Sequence, residues 1–148
     1  MGDASGPQGR TARAVEAWES LFRAHVGVMR WLEATGSFGD LTSREYDVLV
    51  QLGQAPEEGI RQCELAERVM LPQPSLSRML DRLAKRGLVA RHNPPDAPRV
   101  LLFALTDEGR LTQRIAGRIH VRALREALSV YSDAELSQLT ELARRLHQ

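Results

Sequence analysis

The chain has 148 residues, 43% hydrophobic and 26% charged, a balance that fits one globular domain and argues against disorder outside the ends. No apolar run approaches the roughly 20 residues that a membrane-spanning helix needs, and a single cysteine cannot form an internal disulfide, so a cytoplasmic location is expected. A formal net charge of +1 hides a basic block, because residues 68–99 carry seven basic against two acidic side chains, and such a block points to an anionic partner such as a phosphate backbone.

Residues 1–10, with three glycines and a proline and without the apolar core of a signal peptide, are expected to form a disordered tail. From there, Val15, Trp18, Phe22, His25, Met29 and Leu32 alternate three and four apart, which predicts a long amphipathic helix within residues 11–40. Leu21 and Val28 widen its apolar face. Thr42 and Glu45 have capping-box spacing and open a second helix that closes near Gly53. After a loop over 54–59, Leu65, Ala66 and Val69 mark a helix too short to stand alone. Residues 71–74 break it, and a further helix is predicted from about Gln73 to Arg86. Leu76, Met79, Leu80 and Leu83 line one side of it, with Gln73, Ser75, Ser77, Arg78, Asp81, Arg82 and Lys85 on the other. Residues 88–92 and 99–105 are rich in strand formers and flank a proline-rich stretch that cannot be helical, which predicts a hairpin with a projecting loop. Thr106 then caps a helix carrying Leu111, Ile115, Ile119, Leu124 and Leu128, and Ser132 with Glu135 opens a last helix ending near His147.

The predicted fold class is mainly α with a small β-hairpin wing: a winged helix-turn-helix lobe over residues 41–105, flanked by terminal helices over 11–40 and 106–148 that form a dimerisation layer. A major groove admits one helix whose early residues meet base edges, so short hydrogen-bonding groups and arginine are the chemistry to look for. Gln73, Ser75, Ser77 and Arg78 supply it, while Arg82 and Lys85 lie farther along for backbone charge. Arg99 closes the wing loop, either to enter an adjacent minor groove or to pair with Asp96. The wide apolar faces of the terminal helices exceed what one small lobe covers and predict a homodimer, with two reading helices about 34 Å apart on an inverted repeat. If a small-molecule effector exists, it is expected between the helical layer and the lobe, near Trp18, Phe22, His25, Met29 and Tyr46. His25 also fits as a satisfied core or interface residue.

Cys63 reads as a small packing residue more readily than as a redox-sensing thiolate, since the chain has no resolving cysteine. His92, His120 and His147 lack the spacing of a metal site, and no metal or cofactor is expected. Arg110, Arg114, Arg118 and Arg122 recur every fourth residue and are expected to be a solvated or salt-bridged stripe, with DNA backbone contact as the second reading. No phosphate-binding glycine loop or nucleophile motif argues for an enzyme. The rivals to a DNA-binding regulator are a winged-helix module that binds protein and a thiol-based redox sensor working through Cys63.

Three stretches in this order and spacing, LTSREYDVLVQL (41–52), LAERVMLPQPSLSRMLDRLAKRGLV (65–89) and RVLLFALTDEG (99–109), resemble the MarR family of bacterial transcriptional regulators. The resemblance implies a dimer built from the first and last helices, a pair of DNA-reading lobes, and often an effector that releases DNA. By position it puts Ser75, Ser77 and Arg78 in the major groove and makes Arg99 the wing arginine. One departure stands out: the family's wing usually reads Asp, any residue, Arg, and here Asp96 and Arg99 are separated by one residue more.

Overall fold

The computed structural model describes residues 7–147 and opens with α1 (Pro7–Ala34), a 28-residue helix. Pro7 to Arg10 are therefore helical, which corrects the expected tail; proline is accommodated in a first turn, where its missing N–H has no intrahelical partner. Residues 1–6 of that expected tail lie outside the described residues. α2 (Ser43–Gly53) starts at the anticipated capping box: the Thr42 hydroxyl accepts from the Glu45 N–H at 3.1 Å, and the Glu45 carboxylate accepts from the Thr42 N–H at 3.0 Å. The same reciprocal cap, Ser132 with Glu135, starts α6 (Asp133–Arg144), and the Thr106 hydroxyl caps α5 (Asp107–Ala127) by accepting from Gly109 N–H.

Between these elements lie β1 (Ile60–Arg61), α3 (Gln62–Val69), α4 (Gln73–Lys85), β2 (Val89–His92) and β3 (Leu102–Leu105). The sheet is antiparallel in the order β1-β3-β2, with Ile60 opposite Phe103 and Val89 opposite Leu105. The hairpin is thus present, although its second strand begins at Leu102 rather than Arg99. β1 was not anticipated, because two residues display no alternation to read. Gly59 makes the pairing possible: at φ +97° it lies so close to β3 that a Cβ there would meet the Phe103 carbonyl carbon at 2.8 Å.

The core sits in the lobe. Leu49, Leu65, Leu76, Leu80 and Leu83 from α2, α3 and α4 are at most 1% exposed, and Phe103 and Leu105 close it from the sheet. The flanking helices differ sharply. Along its whole length α1 buries only Leu32, and α6 buries no residue at all. Val15, Trp18, Phe22, Leu139 and Leu142 all remain exposed. No helix among the described residues is long and apolar enough to cross a membrane.

Candidate nucleic-acid interface

α4 is anchored on one side and free on the other, as its sequence dictates. Leu76, Met79, Leu80 and Leu83 recur every three or four residues and are all buried, which pins the helix to the core. Its start is stiffened by Pro72, which acts as the N-cap with no side-chain bond, and by Pro74 in the first turn. The preceding turn is closed by Met70, a non-glycine residue held in the left-handed region at φ 50° and ψ 42°. Gln73 and Arg78 are exposed, Ser75 and Ser77 half-buried, and among the described residues none of these four side chains has a hydrogen-bond or ionic partner. Their donors and acceptors are unspent, and they lie at the end of α4 that a winged helix presents to a groove.

The far end of α4 is differently arranged. The Glu45 carboxylate, on a residue 7% exposed, accepts from Arg86 Nη1 at 3.4 Å and stands 4.0 Å from Arg82 Nε. Arg86 also donates to the Asp40 carbonyl at 3.3 Å. Arg82, anticipated as a backbone contact, therefore leans partly toward Glu45, while Lys85 stays exposed and, among the described residues, unpaired. Glu45 thus does two jobs, capping α2 and holding the C-terminal end of α4. The capping box was visible in the sequence; the second role depends on Arg86, 41 residues away, and was not.

In the wing, Arg99 is exposed and lies in a turn closed by the Val100 N–H donating to the Ala97 carbonyl at 2.9 Å. Asp96 belongs to the preceding turn, from Pro94 to Ala97, and no ion pair joins it to Arg99 among the described residues. The loop is strapped instead by the Asn93 amide donating to the Val100 carbonyl at 2.8 Å, and the hairpin is tied to α4 by Arg91 donating to Asp81 at 2.9 Å. Of the two alternatives for Arg99, the pair with Asp96 is therefore not formed among the described residues.

Of the five residues anticipated around an effector, Trp18 and Phe22 stack on each other at 6.5 Å between ring centroids on the exposed face of α1, and His25 is exposed. Met29 is half-buried against the core. Only Tyr46 lines a crevice of about 680 Å³ between α2 and α5, and the remaining lining comes from α5, including Gln113, Arg114, Arg118, Arg122 and Arg125. Burial, assisted by the neighbouring Asp47 charge, raises the Tyr46 phenol above its ordinary value. Behind Tyr46 lies His120, which the sequence offered only as a histidine without the spacing of a metal site. Its Nδ1 is 2.7 Å from the hydroxyl of fully buried Ser37, and its ring stacks on Phe38 at 4.8 Å and lies 5.1 Å from Tyr46. Burial lowers its pKa. Cys63 is an exposed thiol in the first turn of α3, so the packing role expected of it does not hold in the isolated chain.

Residues 39–97 match the model of the MarR family. The chain is 27% identical over 123 residues to the homoprotocatechuate degradative operon repressor of Escherichia coli, covering 83% of this chain and 82% of that protein. Its fold superposes with a TM-score of 0.81 on Sco3205, a MarR family transcriptional regulator from Streptomyces coelicolor solved in complex with DNA, at 28% identity over 92% of this chain and 86% of that one. It also superposes at 0.69 on the PcaV transcriptional regulator of the same organism, solved with its natural ligand, at 28% identity over 99% of this chain and 96% of that one.

Proposed function

This chain belongs to the MarR family, whose members are transcriptional regulators rather than enzymes, and from that premise we propose that it is a homodimeric repressor that reads an inverted repeat and is released by a small effector. The observation that carries the DNA reading is the start of α4, where Gln73, Ser75, Ser77 and Arg78 hold unspent hydrogen-bonding groups on a helix fixed by four buried apolar side chains. Arg78 suits bidentate pairing with guanine, the serines and Gln73 suit bases or phosphates, and Lys85 with part of Arg82 supplies backbone charge. Arg99 in the wing suits a minor groove. The protein works on chromosomal DNA and hence in the cytoplasm.

The dimer is supported by the terminal helices, because a helix that buries nothing in its own chain has no reason to be ordered unless another surface covers it. Repression is supported by the name of the Escherichia coli relative, and release by the solved ligand complex of the Streptomyces regulator. An effector held between the helical layer and the lobe, beside Tyr46 and Met29, favours a spacing of the two lobes that no longer matches one DNA turn.

The test begins with selection of bound sequences from a random duplex pool, followed by affinity measurements across salt concentrations. The expected yield is a palindrome with half-sites about one turn apart, and an affinity that falls steeply as salt rises because phosphate contacts release counterions. No affinity for bulk DNA at low salt would overturn the proposal and leave the protein-binding module as the better account.

A further inference from the structure

The crevice between α2 and α5 has an unusual wall. Arg114, Arg118 and Arg122 recur every fourth residue along α5, with Arg125 on the same side one turn later, and all four are exposed. Like charges at that spacing repel one another. A salt-bridged stripe would relieve the repulsion, yet no carboxylate lies within ion-pair distance of any of the four among the described residues. Arg114 and Arg118 do not even have an acidic residue three or four positions away in the sequence. The Tyr46 hydroxyl across the crevice, and the Gln113 amide beside the row on α5, are equally unpartnered among the described residues. Gly117 keeps the floor open: a Cβ there would stand 3.5 Å from the Tyr46 oxygen, so any larger side chain would project into the space.

We propose that this crevice is a binding site for a small polyanion, a molecule with two or more phosphate or carboxylate groups, held by Arg114, Arg118, Arg122 and Arg125 with the Tyr46 hydroxyl as a further donor. The four guanidiniums span about 16 Å of helix, and a single carboxylate would meet one of them and leave the rest unrelieved. Anionic groups in series match the row, and each guanidinium offers a paired donor set to a phosphate or carboxylate. The occupant is a small molecule rather than the duplex, because Tyr46 adjoins Glu45, which grips the C-terminal end of α4, whereas the reading residues lie at the other end of a helix about 20 Å long. The same adjacency gives the ligand a lever: what moves Tyr46 moves the residue that holds Arg86 and Arg82. The proposal rests on the effector reading given above, to whose site beside Tyr46 it assigns a ligand class.

Isothermal titration of the full-length protein with sodium pyrophosphate, and separately with citrate at matched ionic strength, tests the site. Saturable binding at one per chain is expected for at least one probe, the preferred probe telling phosphate from carboxylate. The double variant Arg118→Gln/Arg122→Gln should weaken it at least tenfold, while Arg10→Gln/Arg145→Gln, which removes as much charge elsewhere, should leave it unchanged. Gly117→Leu, which fills the floor and keeps every arginine, should abolish it, with circular dichroism confirming that each variant is folded. Absence of saturable binding, equal weakening in the control double variant, or undiminished binding by Gly117→Leu would each overturn the site. So would a duplex affinity that loses about two counterions of salt dependence in Arg118→Gln/Arg122→Gln with no probe binding in the parent, since the row would then serve the DNA backbone. Specific probe binding that leaves duplex affinity unaltered upholds the site and removes only the effector role.

Discussion

Met70 occupies a backbone region that costs an L-residue about 1–2 kcal/mol, and its side chain is 82% exposed, so little burial offsets the strain. Glycine is the usual residue at such a helix C-cap. Met70→Gly should therefore raise stability by about 0.5–1 kcal/mol, after allowing for the larger chain entropy that glycine loses on folding. A higher midpoint in urea with an unchanged slope checks it. His120 makes the opposite kind of statement. Its pKa is depressed by burial against Phe38, Tyr46 and Ser37, so the unfolded chain binds the proton more readily than the native one. The stability it contributes is present above the ordinary histidine pKa of about 6.5 and is lost as pH falls from there through the folded value. Thermal melts from pH 8 to 5 should show stability declining below about pH 6.5, with a smaller decline in His120→Gln; parallel profiles would assign the loss to other groups.

At the scale of elements, α4 and the wing should fail differently. Arg78→Ala removes a guanidinium, unpaired among the described residues, from the N-terminal half of α4 and should cost about 1–3 kcal/mol per half-site, relaxing preference at one symmetric operator position. Arg99→Ala should instead lower affinity chiefly on sites with A/T-rich flanks and leave the core motif unchanged, because groove width attracts that side chain. Selection from flank-randomised duplexes separates the two, and an Arg99→Ala protein that binds every flank as the parent does would place this arginine away from DNA. Helices whose ends are written locally were legible: Thr42 with Glu45, Thr106, and Ser132 with Glu135 are caps both in the sequence and in space. The apolar side of α4 was legible for the same reason, since one period governs it. What escaped depended on partners distant in sequence. β1 exists only because β3 comes to it, His120 matters only because Ser37, 83 residues away in sequence, comes to it, and the arginine row lines a crevice only together with Tyr46 on another helix. The Asp96–Arg99 pairing failed because two separate turns intervene.

For the whole molecule, assembly and folding should be one process. Phe22 on α1 and Leu139 on α6 are 56% and 45% exposed in the isolated chain. Replacing either with Asp should abolish the dimer and DNA binding together, since an unpaired charge would be buried at the interface. Sedimentation at micromolar concentration, alongside a duplex-binding assay, checks it, and a folded parent monomer under the same conditions would contradict the obligate dimer.

The bare face of α6 also has a genetic consequence. With α1 and α6 as the proposed dimer surfaces, outside the proposed reading lobe, a defect in α4 should leave a chain's capacity to pair untouched. A cell making parent and Arg78→Ala chains in equal amounts would therefore distribute them at random, leaving only about a quarter of its dimers with two intact reading helices. The damaged allele should be dominant over the parent, whereas a Leu139→Asp allele, whose product cannot enter a dimer, should be recessive.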